Sequence, residues 1–285
     1  MSPAEHQRIF TDLIVPSHLG DPEPRRHPVA VYVVGQPGAG KTAASVLVLR
    51  AMRPGAVLVS GEDFRAFHPE YARLLAERPR TAGAVLRADY RAWQNAAEEW
   101  LRNRRADVVV EAAPATGTDL LASASRFQAA GYRVEMLVLA VRAADSRQGT
   151  AHRFALGLEQ GLPSRFTTLH GHDRCYRALA ALAPALDRHP AVRTVTVTDR
   201  DVRALRNRQG GPAAMLERER QRPYTHTEAA RFAAVQRRLW ASLPQHRPEL
   251  SDIAALAAPL LPPDFPLRGL INARGIEEAV RARPA

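Results

Sequence analysis

Lysine is nearly absent from this chain: of its 40 basic residues, Lys41 is the one lysine and the rest are arginine. Cysteine also occurs once, as Cys175, which excludes an internal disulfide and a cysteine-based metal cluster. Aromatic residues make up 6% and do not interleave with a basic stripe, so nucleic acid is not an expected partner. No apolar run approaches the roughly 20 residues that span a bilayer, so no membrane association is expected. The segment Met1-Ser2-Pro3-Ala4-Glu5-His6 lacks a basic stretch followed by an apolar one. A secretory signal is therefore not expected, and the chain reads as cytoplasmic. What is present is 285 residues, 46% hydrophobic, with a formal net charge of +11. That is long enough to bury a full core and basic enough to favour anionic ligands.

One segment stands out against this background. Gly35-Gln36-Pro37-Gly38-Ala39-Gly40-Lys41-Thr42 follows the apolar run Val29 to Val34 and precedes a helix-favouring stretch, Ala43 to Met52. Strand, glycine-rich turn and helix in that order form the context of a phosphate-binding P-loop. The glycines let the backbone curl so that successive N–H groups point at phosphate oxygens. The helix N-terminus adds its positive dipole end. Lys41 supplies a mobile cation for the outer phosphates, and the Thr42 hydroxyl can hold Mg²⁺. A nucleoside triphosphate is the expected ligand.

The rest of the chain reads as α/β. A short amphipathic helix is expected over 5–14 and a connector over 16–28. Strands are expected at 56–60, 107–111, 134–140 and 192–197, and helices at 86–103, 118–130, 143–159 and 173–186. This alternation predicts a doubly wound, mostly parallel sheet with its ligand at the carboxyl ends of the strands. Beyond about residue 208 the pattern is helical alone, with helices at 229–243 and about 250–260. The chain thus divides into a kinase-like core over 1–207, with a lid at about 143–172, and a C-terminal helical extension packed on that core over 208–285.

Several side chains could carry chemistry at such an edge. Glu62 and Asp63 follow the second strand, where a carboxylate can accept a proton from a substrate hydroxyl. Asp63 would serve equally as a helix cap. Glu111 ends the apolar run Val108 to Val110 and could orient Mg²⁺ through water, bind a substrate hydroxyl or sit as a solvated strand end. Arg142, Arg147, Arg153 and Arg165 fall in or near one helix and its following loop. Such arginines can neutralise charge on a transferred phosphoryl group, or line a solvated helix face. His68, His170 and His172 lack further ligands at metal spacing and read as loop or cap residues. Cys175 reads as a small buried apolar residue.

The motifs together resemble the zeta toxin family, the kinase halves of epsilon/zeta toxin–antitoxin systems. The resemblance rests on the 35–42 loop and on Glu62-Asp63-Phe64-Arg65-Ala66-Phe67-His68-Pro69-Glu70-Tyr71. It continues with Val110-Glu111, Gly131-Tyr132-Arg133-Val134, Leu139-Ala140-Val141, Ser146 and Arg153-Phe154. It implies transfer of the ATP γ-phosphate, with Mg²⁺, to a sugar hydroxyl of UDP-N-acetylglucosamine, and an antitoxin as a protein partner. By position, Lys41 would be the P-loop lysine, Thr42 the Mg²⁺ ligand, and Arg153 and Arg165 the phosphate-clamping lid arginines. Glu62 stands where the family usually has an aspartate as base, with Asp63 second in line; Glu111 and Arg65 are the expected acceptor contacts. This chain has Glu111-Ala112-Ala113-Pro114-Ala115 where the family often reads Glu-Gly-Thr and a basic residue, so the hydroxyl and the charge expected there to hold the acceptor are missing. Two other readings compete: a kinase of another small molecule or nucleic-acid end, and a P-loop ATPase or switch acting through a bound partner.

Overall fold

The computed structural model describes residues 1–266 except 115, 163 and 206–208. The boundary expected at 207/208 and the end of the tail lie outside the described residues. Helix α1 (Pro3–Ile9) starts with the Ser2 hydroxyl accepting the Glu5 N–H. It runs into a π-helical segment, Phe10–Leu19, that buries Phe10, Ile14 and Leu19 and contains Pro16. The expected helix therefore overruns the expected connector. The ladder widens to π type where a proline ring would crowd an α-helical turn, and it stops at Gly20, with φ of +60°.

The core alternates as expected. It runs β1 (Val29–Val34), α2 (Lys41–Ala51), β2 (Val57–Ser60) and a 3₁₀ turn at Asp63–Phe67. Two short helices that the sequence pattern did not reveal come next, α3 (Tyr71–Glu77) and α4 (Ala82–Val85). Then come α5 (Arg87–Asn103), β3 (Val108–Ala112), α6 (Gly117–Ala129), β4 (Arg133–Leu139), α7 (Ala143–Glu159), α8 (Leu169–Leu186) and β5 (Thr194–Thr198). The C-terminal helices are α9 (Gly211–Gln221), α10 (His226–Ser242) and α11 (Arg247–Ala257). No described helix is long and apolar enough to cross a membrane.

The five strands form one sheet in the order β2-β3-β1-β4-β5, and every pairing is parallel. Successive side chains of a strand point to opposite faces. Ala30, Tyr32 and Val34 accordingly join the large core with Trp93, Leu101, Phe127 and Leu179. Val33, Val109 and Leu139 join Ala39 and Ala44 beneath α2. Both faces are covered, which is why these strands read as unbroken apolar runs. Register brings the strand ends level. Glu111 lies opposite both Ser60 and Val33, so the ends of β1, β2 and β3 emerge side by side.

A third apolar cluster joins Phe154 and Phe166 to Phe232, Leu239, Leu250 and Ile253. The C-terminal extension thus divides. Helix α9 packs on α8 and β5, whereas α10 and α11 pack on α7. Two buried amides clamp that second contact. The Gln148 side chain donates to the Phe232 carbonyl and to Gln236 Oε1, and Gln236 donates to the Leu250 carbonyl at 2.6 Å.

At the opposite, amino-terminal edge of the sheet, buried Asp107 accepts the Val29 N–H at 2.8 Å and two donors of Arg53 at 2.8 and 2.7 Å. Removing that carboxylate strands an N–H and a guanidinium. Asp107→Ala is expected to cost about 2–3 kcal/mol, the scale of hydrogen bonds to a charged group. The check is a lower urea midpoint at unchanged slope.

Candidate active site

The loop between β1 and α2 is shaped by two glycines that no other residue could replace without strain. Gly38 (φ +76°) presses against α7 so closely that a Cβ would fall 1.9 Å from the Ser146 carbonyl oxygen. Gly40 (φ +95°) turns left-handed to begin α2. The Gly35 N–H is tied to the Ala112 carbonyl of β3, and the Ala39 N–H to the Gln36 carbonyl. This leaves the N-terminus of α2, with its dipole, open toward the strand ends. Lys41 curls back so that Nζ donates to the Gln36 carbonyl at 3.3 Å. Burial lowers its pKa, while Glu62 and Glu111 pull it back up. Thr42 is exposed on the first turn of α2. The side chain of Gln36, by contrast, is wholly buried and donates to the Val141 carbonyl and the Ser146 hydroxyl.

Across the gap, the turn after β2 presents Glu62. Its carboxylate meets three guanidinium groups: Arg65 at 3.3 Å, Arg153 at 3.1 Å and Arg165 at 3.4 Å. Burial pushes Glu62 up, but Arg65, Arg153, Arg165 and Lys41 outweigh it and hold the carboxyl well below the usual carboxylate range. Asp63, the neighbouring acid, is exposed as Glu62 is but does not line the cavity. Partial desolvation of its carboxyl raises its pKa, with His18 pulling down and Glu62 pushing up. Of the two acids, geometry brings Glu62 to Lys41 and leaves Asp63 outside.

Of the four lid-region arginines, the structure brings two to the site. Arg153 projects from α7, half exposed, and Arg165 from the loop before α8. Arg165 lies across Gly83 of α4, where a Cβ would collide with its guanidinium. Arg142 is buried under the extension, bonded to the Arg222 and Pro223 carbonyls and stacked on Tyr224. Arg147 pairs with Asp173. Arg65 lies over the Tyr90 ring at 4.5 Å, so it braces Glu62 from behind as well as lining the cavity.

Glu111 closes the third side. It is buried, its Oε1 has no hydrogen-bond partner, and burial raises its pKa against the pull of Lys41. The Ser45 hydroxyl, one turn into α2, is likewise buried and lies against Glu111, where it opposes that rise. Lys41, Glu62, Glu111, Arg65 and Arg165 share one cavity of about 420 Å³. Its floor carries a network not visible in the sequence pattern, in which buried Glu98 accepts from Ser123 and Gln94, and Ser123 lies 2.6 Å from the Tyr32 hydroxyl. Cys175 also lines this cavity, its thiol pushed up by burial. His68 bridges Asp89 and the Glu70 N–H, as a loop staple. Among the described residues no three His, Cys, Asp or Glu side chains converge as a metal centre.

A second cavity, about 270 Å³, opens at the carboxyl ends of β4 and β5. Gly149, His152, Arg200 and Phe232 are among its walls. Gly149 was not singled out by sequence. It abuts the P-loop from α7, where a Cβ would lie 2.5 Å from the Gly38 carbonyl oxygen.

The arrangement has counterparts. The chain is 22% identical over 242 residues to the protein named Toxin zeta of Enterococcus hirae, covering 83% of this chain and 85% of that one. It shows the same identity to Toxin zeta of Streptococcus pyogenes, over 83% of this chain and 84% of that one. Its fold is similar to a solved structure from the PezAT chromosomal toxin–antitoxin system of Streptococcus pneumoniae, with a TM-score of 0.72 and 17% identity. That match covers 86% of this chain and 98% of the other. A solved AvrRxo1-ORF1:-ORF2 complex is more distantly similar, with a TM-score of 0.51, 12% identity and coverage of 99% and 86%. The family model for zeta toxin matches residues 17–209, more than half of the chain and the whole of the sheet. With a parallel 2-3-1-4-5 sheet, a P-loop and that match, the chain belongs to the zeta toxin family.

Proposed function

We propose that the chain is a kinase that moves the γ-phosphate of ATP to a hydroxyl of a nucleotide sugar, with UDP-N-acetylglucosamine as the expected acceptor. The observation that carries this reading is the convergence of Lys41, Glu62, Arg153 and Arg165 around one gap at the strand ends. A simple nucleotide switch has no use for a carboxylate held by two arginines at the mouth of an acceptor-sized cavity. Two cavities on either side of the P-loop suit two substrates. The one beside Glu62 takes the acceptor, and the one over β4 and β5 takes the donor's nucleoside.

The chemistry depends on which groups are free to change partners. Loop N–H groups and the α2 dipole hold the donor phosphates, and Lys41 leaves the Gln36 carbonyl for the outer ones. Arg153 and Arg165 move from Glu62 to the phosphoryl group in flight, whose charge they neutralise. That exchange leaves Arg65 as the remaining guanidinium on Glu62. With fewer cations beside it the carboxylate becomes more basic and takes the acceptor proton. The acceptor oxygen bonds to the γ-phosphorus as the β–γ bridge bond breaks, ADP departs, and the hydroxyl proton rests on Glu62. Mg²⁺ fits the oxygens at hand, because the exposed Thr42 hydroxyl and the buried Glu111 carboxylate are hard donors. When bound, it neutralises charge on the β- and γ-phosphates. An antitoxin partner is proposed from the similarity to the PezAT toxin–antitoxin structure.

Incubation with γ-labelled ATP and a metabolite panel tests this directly. Label on UDP-N-acetylglucosamine is the expected result. Label on another acceptor replaces the sugar nucleotide, and phosphate release to water alone removes the kinase reading. Lys41→Ala should reduce kcat by about 10²–10³-fold, as for loss of one charge-stabilising donor. Glu62→Gln should reduce kcat by about 10²–10⁴-fold with nucleotide affinity kept. A larger loss from Asp63→Asn would make Asp63 the base.

The ion cluster also sets a pH dependence. A carboxylate whose folded pKa is depressed contributes stability above its unfolded value and loses it as pH falls through the folded one. The stability difference between wild type and Glu62→Gln should therefore persist at about pH 4, near the ordinary glutamate value, and fade only below it. In an Arg153→Ala, Arg165→Ala background the fade should begin nearer that ordinary value. Thermal melts across pH read both.

A further inference from the structure

Arg220, on α9, is 2% exposed. Burying a guanidinium costs free energy unless its donors are met and its charge is paired. Among the described residues, none of its hydrogen bonds goes to a carboxylate. Its NH2 group donates to Gln36 Oε1 at 3.1 Å, its NH1 group to the Tyr176 carbonyl at 3.1 Å, and its plane stacks 3.7 Å from the Tyr176 ring centroid. Its Nε has no partner among the described residues. Burial lowers its pKa against the pull of Tyr176 and Glu217. As a stability device this is a poor use of a charge, so its value lies in what it holds.

What it holds is the second residue of the P-loop. With Oε1 turned to Arg220, the Gln36 amide nitrogen can face only the other way, where it donates to the Val141 carbonyl at 2.9 Å and the Ser146 hydroxyl at 3.1 Å. Ser146 in turn lies 2.8 Å from His172 Nε2. One amide thereby joins α9, the end of β4, α7 and, through Ser146, α8. The same residue's backbone carbonyl takes the Ala39 N–H at 3.2 Å and the Lys41 ammonium at 3.3 Å. The orientation of Gln36 therefore fixes both the curl of the loop and the resting place of its lysine.

We infer that Arg220 is a positioning residue for triphosphate binding: the C-terminal extension reaches back through it to hold the P-loop in its phosphate-receiving shape. Arg220 lies beyond residues 17–209, the segment that the family model matches. The inference rests on the reading that this loop binds a nucleoside triphosphate.

The test uses the full chain, a fluorescent ATP analogue with Mg²⁺, and a thermal melt of each variant. Arg220→Met should weaken analogue binding by about tenfold, the scale of a lost hydrogen bond to a charged group. Arg220→Lys, which keeps the charge and one donor direction, should recover part of the loss. Gln36→Leu should weaken binding comparably, and the double variant should be no weaker than Gln36→Leu alone, because the arginine acts through that amide. Asp107→Ala loosens the opposite edge of the sheet, so it should lower Tm with affinity unchanged. Arg220→Met that lowers Tm yet keeps wild-type affinity overturns the inference, as do additive losses in the double variant. Should Arg220→Met fail to fold, unaltered affinity in Arg220→Lys overturns it in the same way. A wild-type chain that binds no nucleoside triphosphate overturns the kinase reading and this inference together.

Discussion

Glu62 and its three guanidinium partners form the interaction on which the site depends. A carboxylate at the mouth of a phosphate loop would repel the donor if it stood alone. Paired with Arg65, Arg153 and Arg165, it presents a net positive face instead. The same pairs tie three separate parts of the chain, the β2 turn, α7 and the loop before α8, to one point. Two of the three arginines lie where a phosphoryl group would draw them off. Under the proposed kinase reading, the resting ion cluster and the working site are one set of residues with two sets of partners.

That cluster is possible because the rest of the fold brings the parts level. Parallel pairing sets Glu111 opposite both Ser60 and Val33, so three strand ends open at one edge. Glycine at 38 and at 149 lets α7 rest directly on the P-loop, which places Arg153 over the gap. Helix α7 is held from behind by α10 and α11, through Gln148, Gln236 and the apolar cluster around Phe154 and Phe232. Helix α7 is therefore a packed element from which Arg153 reaches Glu62. What remains free to move is the reach of its side chains.

Much of this was legible in the residues. Period and punctuation revealed the strands, and their unbroken apolar runs foretold a sheet covered on both faces. The P-loop announced itself by glycine spacing before a helix. Local pattern could not choose between Glu62 and Asp63, because adjacent residues on a turn differ in direction only once the turn is built. It could not choose Arg153 and Arg165 among four arginines, since Arg142 and Arg147 differ from them only in what packs over them. The link from Gln36 to Arg220 spans 184 residues and leaves no local trace. The helices α3 and α4 are too short to show a period, and the π-helical run through Pro16 contradicts the usual meaning of proline.

The most direct measurement is a crystal structure of the chain with a non-hydrolysable ATP analogue, Mg²⁺ and acceptor. The account predicts Arg153 and Arg165 on the γ-phosphate, Lys41 gone from the Gln36 carbonyl, and the Glu62 carboxylate within hydrogen-bond reach of an acceptor hydroxyl. Both arginines still on Glu62, with that carboxylate turned from the acceptor, would contradict it.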